Sequence, residues 1–322
     1  MNTIRVTVSS IDEQGRGNRR VELVPADGSL LPAFDAGAHI DVRMPGGLVR
    51  QYSLANPPSQ RHRYEICVRR DAQSRGGSAY LHDVLTPGQH VEISAPRNCF
   101  ALEDAAHYVL IAGGIGITPL LSMAQCLAER GASFELHYYG RSEADAPYVQ
   151  QLRAGFGGVG GATVALHFSE TGDSLRNALP ASLRTPSAQT LVYVCGPAAM
   201  MDHLRAETSR IGWQDSQIRS EAFHAEPVTA LSGDGTFEVE LASTGRVFVV
   251  PVGKTIAGVL LDNAVDVSLS CEQGICGACL TGIKSGRADH RDEVLSDEEK
   301  QANTLIAVCC SRAQSARIVL DL

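Results

Sequence analysis

Over roughly its first third the chain alternates apolar and polar residues in short runs: Ile4–Ser9, Arg20–Val24, His39–Arg43, Gln51–Leu54, Tyr64–Arg69 and His90–Ser94. Period-two alternation turns one face of a strand toward a core and the other toward water. Turn formers separate the runs at Ala26-Asp27-Gly28, Pro45-Gly46-Gly47, Asn56-Pro57-Pro58 and Thr86-Pro87-Gly88. Short strands punctuated in this way predict an antiparallel β-barrel. Near Tyr108 the pattern changes to unbroken apolar runs, Tyr108–Ala112, Phe134–Tyr139, Thr163–Phe168 and Leu191–Cys195, of the kind that parallel strands buried on both faces show. Helical stretches at Pro119–Glu129, Tyr148–Ala154 and Ala198–Ile211 lie between and after them. Alternation of strand and helix predicts a doubly wound α/β domain. A Pro, Ser and Gly-containing stretch, His224–Gly235, reads as a linker, and beyond it come two strands, Thr236–Leu241 and Arg246–Val250, and a short helix, Ile256–Asn263. The expected domains are therefore 1–102, 103–226 and 236–322, with a linker at 227–235.

Composition adds limits to this picture. With 322 residues, 44% hydrophobic and 20% charged, the chain has the make-up of a globular protein and no apolar run long enough for a membrane span. The N-terminus lacks the apolar core of a signal peptide, so a cytoplasmic protein without membrane contact is expected. The net charge of −8, with 8 basic against 13 acidic residues in 234–322, argues against nucleic acid and allows a protein partner with a basic docking face.

Nine cysteines without an export signal are not a disulfide framework. Five of them, Cys67, Cys99, Cys126, Cys195 and Cys310, lie in or beside apolar runs, where free cysteine is usually a small core residue. Cys271, Cys276 and Cys279 spell C-x₄-C-x₂-C, and 29 residues separate Cys279 from Cys309. This is the plant-type [2Fe–2S] spacing, whereas a zinc site usually shows paired C-x₂-C or Cys/His halves. Gly274 and Gly277 allow the backbone to close around a cluster. Spacing alone leaves the fourth ligand open between Cys309 and Cys310.

Three further strings carry candidate chemistry. Arg50-Gln51-Tyr52-Ser53-Leu54 offers an arginine for phosphate, an aromatic ring for a flavin face and a hydroxyl. Arg75-Gly76-Gly77-Ser78 precedes a candidate helix start, where glycine-backed N–H groups suit phosphate, the alternative being a plain turn with a serine cap. Gly113-Gly114-Ile115-Gly116-Ile117-Thr118-Pro119 ends a buried strand and opens a helix, with Pro119 expected at the first helical position. That proline stands where a G-x-G-x-x-G motif has its third glycine.

Together with Cys195-Gly196-Pro197, Glu221-Ala222-Phe223 and the Cys309-Cys310-Ser311-Arg312 ending, these motifs resemble the phthalate dioxygenase reductase family, which includes vanillate demethylase reductases. The resemblance spans essentially the whole chain. It implies a flavin β-barrel, a ferredoxin-reductase-like α/β nucleotide-binding domain and a C-terminal β-grasp plant-type ferredoxin domain. It implies FMN rather than FAD, held by Arg50, Gln51, Tyr52, Ser53, Val68, Gly76, Gly77, Ser78, Thr118 and Phe223. It implies NADH bound by Gly114, Gly116, Thr118, Arg141, Cys195, Gly196 and Pro197, although an arginine at 141 also suits the 2′-phosphate of NADPH. Ser53, Thr118 and Cys195 would flank the reacting centres, and Cys309 becomes the fourth ligand because the family's last ligand stands two residues before a Ser-Arg pair. The activity implied is the reductase component of a two-component Rieske-type oxygenase, passing electrons from NADH through FMN and a [2Fe–2S] cluster. No general base is needed in a hydride step, so His39, His82 and His224 require no catalytic role. Other readings are a redox sensor, which would need no complete nicotinamide site, and the electron-transfer subunit of a dihydroorotate dehydrogenase, whose last cysteine follows a shorter gap.

Overall fold

The computed structural model describes residues 3–74, 76–156, 161–223 and 233–322. The chain forms two compact units, 1–223 and 224–322. Of the expected linker, residues 227–232 lie outside the described residues, as does Arg75.

The first unit opens with six strands, β1 (Ile4–Glu13), β2 (Asn18–Pro25), β3 (His39–Arg43), β4 (Val49–Ser53), β5 (Tyr64–Arg69) and β6 (His90–Ile93), with helix α1 (Gly77–Asp83) before the last. They pair antiparallel in the order β4-β3-β6-β1-β2-β5. The two end strands, β4 and β5, approach each other, so the sheet curls into a barrel. Val6, Val8, Val21, Ile40, Val42, Ile66 and Ile93 fill it, all almost fully buried. The alternating runs thus form the predicted strands, and β1 runs on to Glu13 because its second half completes the pairing with β2.

The second sheet contains β7 (His107–Gly113), β8 (Phe134–Gly140), β9 (Ala162–Phe168), β10 (Thr190–Cys195) and β11 (Ile218–Glu221), with α2 (Ile117–Glu129), α3 (Val149–Ala154) and α4 (Ala198–Ile211) between them. All pairs are parallel, in the order β11-β10-β7-β8-β9. Val109, Leu110, Ile111 and Ala112 of β7 are fully buried because helices cover both faces of a central parallel strand. Helix α2 starts at Ile117, so Pro119 is its third residue and not its first. Proline is tolerated there because N–H groups in the first turn have no intrahelical partner. Among the described residues no helix is long and apolar enough to cross a membrane.

Barrel and α/β layer pack together within this unit. The Ser122 hydroxyl donates to the Asn56 carbonyl at 2.8 Å and the Gln125 amide to the Ala55 carbonyl at 2.8 Å. Ala36, Ala55, Cys67 and Phe100 from the barrel side join the core around α2. The Tyr148 hydroxyl donates to Glu65 Oε1 at 3.0 Å, and burial pushes the Glu65 carboxyl above its ordinary value even with Arg20 and Arg63 nearby.

The second unit has β12 (Phe237–Leu241), β13 (Val247–Val250), α5 (Ile256–Asp262), β14 (Leu280–Ser285), β15 (Ala288–Asp289), α6 (Asp297–Ala302), β16 (Leu305–Ala307), β17 (Arg312–Ala313) and β18 (Arg317–Leu320). Its mixed sheet runs β13-β12-β18-β14-β16, with β12 and β18 parallel and the other pairs antiparallel. Helix α5 closes the core through Ile256, Ala257, Val259 and Leu260. Helix α6 escaped the reading from periodicity because it buries no residue, yet Ser296 and Glu299 form a reciprocal capping box that marks its start.

Tyr148→Phe leaves Glu65 with a partner fewer in a buried setting. It is expected to lower the stability of the first unit by about 1–3 kcal/mol, read as a lower denaturation midpoint with the second unit's transition unmoved.

Candidate functional site

The strand order places a topological switch point between β7 and β10, where ligands of doubly wound sheets bind beyond the carboxyl ends of the strands. The register sets Cys195 beside Ala112, so both strands run out at the same edge. Their turns then meet. A Cβ on Gly116 would stand 2.3 Å from the Cys195 carbonyl oxygen and 2.9 Å from the Gly196 nitrogen, so only glycine lets the two backbones touch. The Met200 side chain lies over both Gly113 and Gly196, and Pro197 over Gly113. Gly114, Gly116, Thr118, Cys195, Gly196 and Pro197 are therefore brought to one place. Thr118 is buried in the first turn of α2, its hydroxyl donating to the Ile115 carbonyl at 3.1 Å. Arg141 follows β8 at the same edge with an exposed side chain, its carbonyl accepting the Glu170 N–H at 3.0 Å.

Cys195 is fully buried, and desolvation pushes its thiol well above the ordinary value, with Glu221 adding to the effect. A neutral, enclosed thiol is not a nucleophile. Glu221 stands beside Cys195 on β11. Its Oε2 is enclosed without a hydrogen-bond partner among the described residues, and burial pushes the carboxyl up to about 8. An unpaired buried carboxyl is costly unless a ligand completes it. The motif around it was visible in the sequence, but its chemistry was not, because only the tertiary fold encloses its Oε2. Phe223 packs, partly buried, against the core around α2.

At the barrel, β4 carries Arg50, Gln51, Tyr52 and Ser53, paired with Val42, Asp41, Ile40 and His39 of β3. Gly77 opens α1 and Gly76 caps it at φ 99°, a left-handed conformation that suits glycine. A Cβ on Gly77 would fall 2.6 Å from Arg50 Cγ, so the arginine stem lies directly on the helix start. The Gln51 amide nitrogen is enclosed with no partner among the described residues. Burial pushes the Tyr52 phenol above its ordinary value, and its ring packs at the barrel core. Ser53 is buried. A glycine cradle under an arginine and an orphaned amide fit a phosphate-bearing, hydrogen-bonding cofactor. Two expected contacts look different in the fold. The Val68 side chain belongs to the barrel core, and its carbonyl is bonded by His82 Nε2 at 2.9 Å. Ser78 is the second helical residue, and Ser74, unnoticed in the sequence, accepts the N–H groups of Gly76 and Ala79 at 3.2 Å each.

In the second unit the Cys276 thiol bonds Cys271, and the Cys309 thiol bonds Cys279. The backbone N–H of Gln273 also donates to Cys271 Sγ at 3.3 Å, and that of Ala278 to Cys276 Sγ at 3.4 Å. Cys276 above all, and these backbone donors with it, hold the Cys271 thiol below its ordinary value. Among the described residues no three His, Cys, Asp or Glu side chains gather closely enough to hold one metal ion. Two pairs of thiols suit two irons joined by bridging sulfides better than one ion needing four donors at a point. Cys310 lies against the same loop: its sulfur stands 2.6 Å from the place of a Gly274 Cβ, it also bonds Cys309, and it donates to the Ala307 carbonyl at 3.7 Å.

Comparison with known proteins agrees with this geometry. Residues 239–314 match the family model of the 2Fe-2S iron-sulfur cluster binding domain. The chain is 44% identical over 321 residues to a vanillate O-demethylase oxidoreductase from a Pseudomonas species, covering 99% of this chain and 100% of that one. It is 43% identical to a tetrachlorobenzoquinone reductase from Sphingobium chlorophenolicum over 100% of this chain and 99% of that one. Among solved structures, an intact type IV self-sufficient cytochrome P450 monooxygenase superposes with a TM-score of 0.90 at 34% identity over 99% of this chain, which spans only 41% of that protein. Phthalate dioxygenase reductase, a modular structure for electron transfer from pyridine nucleotides to [2Fe–2S], superposes with a TM-score of 0.70 at 37% identity over 100% of this chain and 98% of that one. The chain belongs to the phthalate dioxygenase and vanillate demethylase reductase family and is an electron-transfer oxidoreductase with a [2Fe–2S] domain.

Proposed function

We propose that this protein is the cytoplasmic reductase component of a two-component Rieske-type oxygenase or demethylase, carrying electrons from NADH through FMN and a [2Fe–2S] cluster to the terminal oxygenase. The observation that carries the reading is the set of two thiol pairs, Cys271 with Cys276 and Cys279 with Cys309, in one chain with a glycine-built switch point. When bound, the flavin would accept a two-electron hydride and the cluster would pass single electrons onward.

The chain's own residues bind, orient and exclude water. Arg50, with the backbone of Gly76, Gly77 and Ser78, would hold the FMN phosphate. Gln51, Tyr52, Ser53, Thr118 and Phe223 would line the flavin, with Val68 behind them in the barrel core. Gly114, Gly116 and Thr118 would receive the dinucleotide, Arg141 its ribose, and Cys195, Gly196 and Pro197 the nicotinamide end. Ser53, Thr118 and Cys195 would stand nearest the reacting atoms, their hydroxyls and neutral thiol presenting weak dipoles and no base. A second reading, reduction of a small quinone, draws on the likeness to the tetrachlorobenzoquinone reductase. It would show as rapid quinone turnover without an oxygenase.

The deciding experiment is anaerobic NADH titration of the purified protein, following flavin and cluster absorbance and identifying the extracted flavin. Bleaching of FMN followed by the cluster signal supports the path; FAD, or a cluster left oxidised, sinks it. Cys276→Ser should abolish the cluster and cytochrome c reduction while flavin bleaching by NADH survives. Arg50→Ala should weaken flavin retention roughly ten- to a hundred-fold, as loss of a charge-assisted hydrogen bond predicts, measured by fluorescence on reconstitution.

Glu221 supplies a pH test. Its carboxyl is raised to about 8 by burial, so the fold favours the protonated form. The stability it permits is complete below the ordinary carboxylate value and declines as pH rises toward 8. In flavin-free protein Glu221→Gln should match the parent near pH 5 and melt higher above pH 8. Equal melting temperatures at both would show that the carboxyl is not held neutral.

A further inference from the structure

Asp292 lies outside every motif that pointed to the cluster, yet three segments of the second unit meet on it. The first is the cysteine loop. A Cβ on Gly274, held at φ 75°, would fall 3.0 Å from Asp292 Cα and 3.1 Å from its Cβ. The Gly274 carbonyl accepts the N–H groups of Glu293 and Val294 at 3.0 and 3.1 Å, so the loop between Cys271 and Cys276 is stitched to the turn that begins at Asp292. The second is the segment that carries the fourth candidate ligand. The Ser311 hydroxyl donates to Asp292 Oδ1 at 3.1 Å and accepts the Arg291 N–H at 3.1 Å. Ser311 follows Cys309-Cys310 directly and is wholly buried. The third is the turn leading into α6, whose Leu295 N–H donates to Asp292 Oδ2 at 3.0 Å. The Asp292 carboxyl is shut off from water, with both oxygens bonded.

A buried carboxyl satisfied from two directions is stable only in one arrangement of its donors. Three thiols lie on one segment and the fourth on another, so something must fix the distance between the two. We infer that Asp292 is the positioning residue that does so, gripping Ser311 behind Cys309 and backing Gly274 between Cys271 and Cys276. The inference rests on the cluster-binding reading of those four cysteines. A group of this kind acts as outer-shell partners of metal ligands do, by orienting donors and tuning the metal centre without touching it.

The test uses the full-length holoprotein as purified. Asp292→Ala should lose iron to a chelator about tenfold faster or more, in line with outer-shell substitutions at metal sites. It should also alter the electron paramagnetic resonance spectrum and midpoint potential of the reduced cluster. Asp292→Asn keeps an acceptor for Ser311 and should restore most of the spectrum and part of the chelator resistance. If Asp292→Ala fails to fold, Ser311→Ala removes only the hydroxyl and should reproduce the spectral and potential changes. Ser311→Ala and Asp292→Asn both indistinguishable from the parent in spectrum, potential and iron loss would overturn the assignment. Parent protein without two irons per chain would instead bring down the cluster reading itself, and this inference with it.

Discussion

The parallel pairing of β7 with β10 is the constraint on which the nucleotide end depends. It fixes Cys195 beside Ala112, so that two turns far apart in sequence leave the sheet side by side. Their contact is backbone on backbone, with no room for a Cβ at Gly116. Ridges of side chains cannot make such an approach, and once made it leaves N–H groups and the start of α2 at one rim. The β11 pairing then adds Glu221 next to Cys195 in the same layer. Sheet register, more than any individual residue, therefore decides which groups face the ligand crevice.

Burial sets the protonation states in the first unit and hydrogen bonding in the second. In the first, Cys195 and Glu221 are enclosed and held toward their neutral forms. This suits hydride transfer, which asks for placement and exclusion of water and for no proton acceptor. In the second, the Cys276 thiol, together with backbone N–H groups, points at the Cys271 sulfur and holds that thiol toward its charged form, while Cys276 as the donor is held protonated.

The barrel and the α/β sheet were legible because their strands are regular: alternation marks half-buried antiparallel strands, and unbroken apolar runs mark central parallel ones. His39–Arg43, Tyr64–Arg69 and Ala198–Ile211 have the bounds that their patterns predict. The second unit was less legible. Strands such as Leu305–Ala307 are too short for a period to emerge, and α6 has no apolar face at all. Pro119 moved from the first to the third helical position because the glycine turn hands over to the helix at Ile117. At the site, the C-x₄-C-x₂-C spacing and the Glu221-Ala222-Phe223 motif were plain, but Asp292 and the enclosure of Glu221 were not, since both depend on segments that meet in space, and Ser74 was missed because its bonds to Gly76 and Ala79 leave no pattern in the sequence.

By itself the sequence determined the family, the order of the barrel, nucleotide and cluster modules and the three thiols of the C-x₄-C-x₂-C loop, because these are carried by local periodicity and by fixed spacings within short loops, whereas Cys309 came only with the family resemblance. Tertiary structure alone decided that Gly116 meets Cys195, that Arg50 lies on Gly77, that Cys271 meets Cys276 and Cys279 meets Cys309 with Cys310 seated on Gly274, and that one oxygen of Glu221 is enclosed. Those facts depend on register between strands and on desolvation, and neither is encoded in any stretch shorter than the domain that creates it.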